Sequence, residues 1–403
     1  MNPGDLILVT GASGYVATSV IKHLLEEGFK VRGTVRNLSN EEKTEPLRKL
    51  TNADKNLELV ESDLLKEDTW KDAVKGSKYV IHVASPFPST IPSDPEELIK
   101  PAVDGTLNIL KACAEVGGIK RVVLTSSIVA VYDPSIPPPK EHEEDKAFSE
   151  EDWTNIEDPH LDVYAKSKVL AEKAAWDFIK ELPDEKKFEL VAINPGLVLG
   201  PLYSKVVPTS LDLVRRLLDR ATPAVAKLCL PICDVRDVAA AHVKALSVPE
   251  AAGHRHIIVT DSVWMKDIAM VLHKEFKALG YSIPTVVAPN FFVWVSSFMD
   301  KTYKLVLPRL SRDFKYDTKR MTEVLGITPT DYVKTIVDSG HSLIEMGAVK
   351  KPKKSKKAKE PEKIDENEDK VNEAKDENGV SSESDSADKA ASTEASATAA
   401  VSS

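Results

Sequence analysis

The sequence predicts an α/β fold: a doubly wound parallel sheet, a smaller C-terminal lobe and a disordered tail. Three observations carry this. Short apolar runs alternate with stretches of helical spacing through the first half of the chain. A glycine turn joins the first run to the first helix. From Lys350 the composition changes abruptly to lysine, then acid, then Ser and Ala, with no aromatic residue to the end. Strands that alternate with helices need right-handed crossovers, which build a parallel sheet covered on both faces.

Leu6-Ile7-Leu8-Val9 is a four-residue apolar run, read as a buried strand that stops at Thr10-Gly11. Gly11 permits a tight turn, and Gly14 lets backbone N–H groups approach an anion. From Tyr15 the spacing is helical, with Val16, Val20, Leu24 and Leu25 on one face. A helix N-terminus after such a turn suits a pyrophosphate, because free N–H groups and the helix dipole both point at it. Ala17 is small enough to let that helix pack closely on its strand. The position of the turn between strand and helix is the context that a dinucleotide-binding motif requires. Thr10, Gly11, Ser13, Gly14, Tyr15 and Val16 are therefore candidate cofactor contacts.

Strands follow at Lys30–Val35, Leu57–Val60, Tyr79–Val83, Arg121–Thr125, Leu190–Ile193 and His256–Val259. Helices are expected at 41–50, 69–74, 96–116, 164–182, 234–246, 264–279 and 331–346. Between Pro195 and Asp234 the regularity breaks at Pro201, Pro208, Pro223 and Pro231, which suggests loops and short helices of a substrate lobe. Phe291-Phe292-Val293-Trp294-Val295 onward to Met299 is too short to span a bilayer and reads as a helix covering part of the core, with membrane-surface contact as the alternative. The chain thus divides into a dinucleotide-binding Rossmann domain over 1–195, to which 228–260 returns, and a substrate-binding lobe over 196–227 and 261–348. A charged tail over 349–403 buries too little apolar surface to offset its ordering entropy and should be disordered.

Composition bounds the rest. The 403 residues suffice for one large domain or two smaller ones. The cysteines Cys113, Cys229 and Cys233 are odd in number and lie in apolar contexts, which argues for a reducing compartment. Cys229 and Cys233 lack a second Cys/His pair at metal-site spacing, so no metal is expected. The first strand begins near Asp5, which leaves no room for a signal peptide, and a cytoplasmic monomer or homodimer is expected. A net charge of −9 gives no reason to expect nucleic-acid binding. The run Lys350–Lys357 resembles a nuclear-import signal, yet the acids from Glu360 to Glu377 neutralise it within a Debye length. Its plainer reading is a solvated extension without a partner.

Cofactor choice is written at the end of the second strand. Enzymes that bind NAD often place an acid there for the ribose 2′-hydroxyl, whereas an Arg accommodates a 2′-phosphate. Thr34-Val35-Arg36-Asn37 has no acid. Arg36 offers a fork of donors matched to phosphate, and Lys43 adds a point charge, so the cofactor read here is NADP(H). The alternative is a solvated surface arginine. Asp63, after the third strand and beside Leu64, would meet the adenine edge or cap the following helix.

Ser127, Tyr164 and Lys168 carry the chemistry. Tyr164 and Lys168 are four apart and share one helix face. An ammonium beside a phenol lowers its pKa from about 10 toward working pH. Tyr164 would then give a proton to a carbonyl oxygen as hydride reaches the carbon. Ser127, just past the Arg121–Thr125 strand, would hydrogen-bond the same oxygen.

Thr10-Gly11-Ala12-Ser13-Gly14-Tyr15-Val16-Ala17, Thr125-Ser126-Ser127, Tyr164-Ala165-Lys166-Ser167-Lys168 and Asn194–Pro201 together resemble an extended short-chain dehydrogenase/reductase. Thr34-Val35-Arg36, His82–Pro86, Lys100–Val103 and Asp234–Ala239 resemble its dihydroflavonol-4-reductase-like branch, with cinnamoyl-CoA reductases and fungal aldehyde/ketone reductases. The resemblance spans residues 5 to 347. It implies that Val83, Ala84 and Ser85 line the cofactor, that Pro195 and Val198 meet the nicotinamide, and that Ser127, Tyr164 and Lys168 are catalytic. Asp104 stands where many such enzymes have Asn. The stretch Ile128–Asp133 lacks the pattern that holds a flavonoid ring in plant reductases. The implied activity is NADPH-dependent reduction of an aldehyde or ketone. A nucleotide-sugar epimerase or dehydratase recycling NAD, and a non-catalytic NADP(H) sensor, are the alternatives.

Overall fold

A computed structural model describes residues 1–2, 4–86, 94–139, 146–298 and 307–352. Among these, seven parallel strands form one sheet: β1 (Leu6–Val9), β2 (Lys30–Val35), β3 (Leu57–Glu61), β4 (Tyr79–His82), β5 (Arg121–Thr125), β6 (Glu189–Pro195) and β9 (Arg255–Ile258). Their spatial order is β3-β2-β1-β4-β5-β6-β9, so the order reverses between β1 and β4. Ligands of such sheets bind outside the carboxyl ends of the strands at that switch point.

The alternation of side chains explains both faces of the sheet. Ile7 and Val9 of β1 point into one cluster and Leu8 into another, as a pleated strand requires. The first cluster lies under α1 (Tyr15–Glu26) and α8 (Val235–Ser247), which bring Val20, Ile21, Leu24, Val238 and Leu246. The second lies under α4 (Asp68–Val74), α5 (Glu96–Val116) and α6 (Val163–Glu181), with Trp70, Ile109 and Ala175. The central strands, buried on both faces, read as near-continuous apolar runs such as Leu6–Val9 and Tyr79–His82. Two short helices, α2 (Glu41–Arg48) and α3 (Ala53–Asn56), join β2 to β3.

The later half holds what local patterns concealed. A second sheet, ordered β10-β8-β7, is built from β7 (Leu197–Leu199), β8 (Cys229–Asp234) and β10 (Asp261–Trp264). These strands are short and carry Pro231, so period and length left them unread. Of the returning segment 228–260, α8 and β9 rejoin the main layers, whereas β8 pairs only with β7 and β10. Around the small sheet pack α7 (Thr209–Leu218), α9 (Met265–Phe276) and α11 (Tyr332–Glu345), burying Leu211, Val214, Ile268, Leu272, Phe276, Ile336 and Leu343.

Two expectations need correction. Helix α10 (Asn290–Ser296) forms where the aromatic stretch predicts it, but it does not cover the core. Phe291, Phe292 and Phe298 are 65%, 61% and 70% exposed, and only Val293 turns inward. A helix of seven residues presents one narrow face, too little to bury a run that is apolar all round. The ordered chain also runs past the expected tail boundary at 349. Ala348 and Val349 pack on the lobe cluster, Lys350 N–H donates to Asp219 Oδ1 (2.7 Å), and Pro352 abuts Gly280. The disorder expected beyond this point concerns residues 353–403, which lie outside the described residues.

A chain ending at Gly347 should therefore lose about 1–3 kcal/mol of apolar burial and capping contacts. A chain ending at Pro352 should keep them. Thermal unfolding of the two truncated proteins beside the full chain checks this; equal midpoints for all three would show that 348–352 contribute nothing.

Candidate active site

The glycine turn follows β1 at the switch point and is tied to the two strands beside it. Thr10 N–H donates to Ile81 O of β4 (3.0 Å), Ala12 N–H to Thr34 O of β2 (2.8 Å), and Gly11 N–H to Thr34 Oγ1 (3.0 Å). Gly11 has φ +67°, and a Cβ there would lie 3.1 Å from the Cα of Ala84. A Cβ on Gly14 would meet the Gly11 carbonyl at 3.1 Å. Helix α1 starts at Gly14 without a side-chain cap, so the first-turn N–H groups of Tyr15 and Val16 are left for a ligand. This bare cradle fits a dinucleotide pyrophosphate.

The candidate contacts divide into groups facing the cradle and groups supporting it. Ser13 is half-buried beside it. Thr10 is fully buried, and its Oγ1 accepts from Val83 N–H (3.1 Å) and Ala84 N–H (3.0 Å). Its side chain thus supports the turn from beneath. The Tyr15 ring packs on the lobe cluster with its hydroxyl buried, so only its backbone faces the cradle. Leu64 packs against Gly105 of α5, and Asp63 Oδ1 accepts from Leu65 N–H (3.0 Å), closing a turn ahead of α4. Asp63 does not cap α4 itself, whose first turn has no side-chain cap.

Arg36 follows β2 two residues after Thr34, the residue bonded to the glycine turn. It is exposed and has no partner among the described residues. Lys43 is half-buried in the first turn of α2, where its N–H is held by the Asn40 cap.

Across the crevice, the catalytic candidates converge. Ser127 follows β5 and begins a single 3₁₀ turn whose Val129 N–H it caps. Asp162 caps α6 through Tyr164 N–H (2.9 Å) and Ala165 N–H (3.3 Å), which fixes the phenol at the first turn. Ser127 hydrogen-bonds the Tyr164 hydroxyl. Lys168 Nζ lies 5.9 Å from the Tyr164 ring centroid and donates to Ser85 Oγ (3.0 Å). Ser85 and Ala84 extend from β4, so one short segment touches both the glycine turn and Lys168. Pro195 ends β6 and Val198 lies in β7, where the two sheets meet.

One electrostatic expectation is reversed. Burial pushes the Tyr164 phenol up to about 12; the Ser127 hydrogen bond pulls it back, and Asp162 adds to the rise. The ammonium does not offset this. Burial lowers Lys168 to about 8, opposed by Glu172, and its proton is directed at Ser85. The phenol is therefore neutral at pH 7, the form that gives a proton away.

A buried network behind these residues was missed. Glu172 accepts from Ser126 Oγ (2.5 Å), Asn194 Nδ2 (2.9 Å), Trp176 Nε1 (3.2 Å) and Arg255 Nε (2.7 Å). The spacing 164-168-172 on one helix face was a legible signal. Arg255, on β9 and far away in sequence, was not legible. Among the described residues no cluster of His, Cys, Asp and Glu could hold a metal ion, and no helix is long and apolar enough to cross a membrane.

Comparison with known proteins agrees with this geometry. Residues 7–260 match the model of the NAD dependent epimerase/dehydratase family. Cinnamoyl-CoA reductase 1 of Petunia hybrida is 34% identical over 350 residues, covering 84% of this chain and 94% of the relative. The NADPH-dependent methylglyoxal reductase GRE2 of Saccharomyces cerevisiae is 35% identical over 297 residues, covering 69% and 84%. The crystal structure of the yeast methylglyoxal/isovaleraldehyde reductase Gre2 with NADPH superposes with a TM-score of 0.71 at 31% identity, covering 85% of this chain and 99% of that one. With its glycine turn at the switch point and Ser127, Tyr164 and Lys168 around one crevice, the chain belongs to the NAD dependent epimerase/dehydratase family, as an extended short-chain dehydrogenase/reductase.

Proposed function

We propose that Tyr164 is the proton donor, and Ser127 and Lys168 its partners, in the reduction of an aldehyde or ketone to an alcohol. The enzyme is an NADP(H)-dependent oxidoreductase acting on carbonyl and alcohol groups. NADPH, when bound, supplies the hydride that reaches the carbonyl carbon.

The chain's own residues handle the oxygen. Ser127 and Tyr164 already share a hydrogen bond, so both hydroxyls converge where a carbonyl oxygen would sit. Tyr164 gives its proton to that oxygen as negative charge develops there, and Ser127 stabilises the same charge. The phenolate left on Tyr164 faces Lys168, whose ammonium lies on the ring side of the helix. That one convergence carries the reading. Arg36 supports the cofactor preference, because an arginine fork suits a 2′-phosphate and no acid competes at the end of β2.

We assign the substrate lobe to 196–227 and 261–348, whose described helices pack around the small sheet that follows β6. The three free thiols are all buried, which fits a reducing compartment, and we place the enzyme in the cytoplasm.

Replacing Tyr164 by Phe keeps the ring and deletes the transferable proton. Turnover with NADPH and a reducible aldehyde should fall by about 10²–10⁴-fold with cofactor affinity nearly unchanged. A fully active variant would refute the assignment.

Arg36→Ala should weaken NADPH binding by one to two decades, about 1.5–3 kcal/mol, and leave NADH binding as it was. Fluorescence titration of both cofactors reads the ratio; an unchanged ratio would remove Arg36 from the account.

A further inference from the structure

We propose that Glu172 is a positioning residue for the reduction: it grips Ser127 from two sides and sets a negative charge one helical turn from Lys168. This rests on the assignment of Ser127, Tyr164 and Lys168 made above. Glu172 is 1% exposed, and a buried carboxylate persists only where its lone pairs are filled. Here they are. Oε1 takes Arg255 Nε (2.7 Å) and Trp176 Nε1 (3.2 Å), while Oε2 takes Ser126 Oγ, Asn194 Nδ2 and Arg255 NH2 (3.4 Å).

The two halves of this arrangement do different things. Arg255 is the anchor. Its NH1 donates to Glu150 O (2.9 Å) and Asp152 O (2.6 Å), and its guanidinium stacks on Trp153 at 3.7 Å from the ring centroid. These contacts hold the pair in place.

Oε2 faces the reaction instead. Ser126 precedes the catalytic serine, and its hydroxyl is bound at 2.5 Å. Asn194 Nδ2 spans Glu172 Oε2 and Ser127 O (3.2 Å), two acceptors that fix the amide orientation. The Ser127 backbone is thereby held before and at its own carbonyl. A misplacement of 1 Å at such a residue can cost about a hundredfold in rate.

The charge acts on Lys168 as well. Glu172 lies four residues on, along the same face of α6, and both line a cavity of about 10 Å³ with Ser85, Thr106, Thr125 and Ser126. That is room for a single water. The groups facing Lys168 are Ser85, the Tyr164 ring, neutral His82 and Glu172. Of these, Glu172 is the one that brings a negative charge to the ammonium.

Three variants test the proposal in the full-length enzyme. In Glu172→Gln the charge is gone, the Lys168 ammonium loses its support, and its pKa falls below about 8. The alkaline limb of kcat/KM should then move to lower pH by about one unit. Glu172→Asp keeps the charge and should return the limb toward its original place. Ser126→Ala leaves the Glu172–Arg255 pair intact and removes one grip on Ser127; kcat should fall about tenfold with NADPH affinity and thermal midpoint held. This variant carries the test should Glu172→Gln fail to fold around an unpaired Arg255. If the limb stays fixed in Glu172→Gln, or Ser126→Ala turns over like the original enzyme, the network is only a staple and the proposal falls. An active Tyr164→Phe would instead overturn the site assignment beneath it.

Discussion

The structure depends on one close approach, the contact between Gly11 at the end of β1 and Ala84 beyond β4. Any side chain at position 11 would sit 3.1 Å from the Ala84 backbone, in a conformation with φ +67°. Thr10 locks this contact from below. Its hydroxyl oxygen accepts two N–H groups, from Val83 and Ala84, so its own proton goes to His82 Nδ1 (2.8 Å). His82 is therefore the Nε2–H tautomer, and burial, with Lys168 nearby, drives its pKa down to about 3. A neutral imidazole beneath the switch point leaves the positive field of the crevice to Lys168 and the helix terminus. The close approach also sends Ser85 toward Lys168, so cofactor cradle and catalytic face are spaced by one short peptide.

Around that contact the protein sorts its charges by burial. Lys168 and Tyr164 are both driven toward their neutral forms, one down to about 8 and the other up to about 12. For a proton donor this is the required state, since the phenol must hold its proton until the carbonyl oxygen develops charge. The Glu172–Arg255 pair follows the opposite logic, a buried ion pair in which both carboxylate oxygens accept hydrogen bonds. A pair of this kind adds little to stability when compared with an apolar replacement, but breaking it is costly. A rigid floor under Ser127 is what it provides here.

Much of this was legible in the residues themselves. The parallel sheet is visible because its central strands, β1, β4, β5 and β6, carry apolar runs, and Tyr164 with Lys168 because a spacing of four maps onto one face of α6. The second sheet was not, since β7, β8 and β10 are short and one contains Pro231. The pKa of Tyr164 was misjudged for a specific reason: spacing reports that Lys168 is near, but not that its proton points at Ser85 or that burial outweighs it. Arg255 lies 83 residues from Glu172, and only the pairing of β6 with β9 brings it there. The aromatic stretch of α10 is apolar enough for a core, but composition does not give the depth at which a short helix docks.

The central claim is that the crevice between the glycine turn and Tyr164 carries out net hydride transfer to an external carbonyl. The most direct measurement uses NADPH carrying deuterium at its transferring position, an aldehyde substrate, and mass analysis of both products. Deuterium should appear on the carbinol carbon, one for each cofactor oxidised, with none drawn from solvent at that carbon. Label that stays with the cofactor through turnover would mean a hydride lent and taken back, and would contradict it.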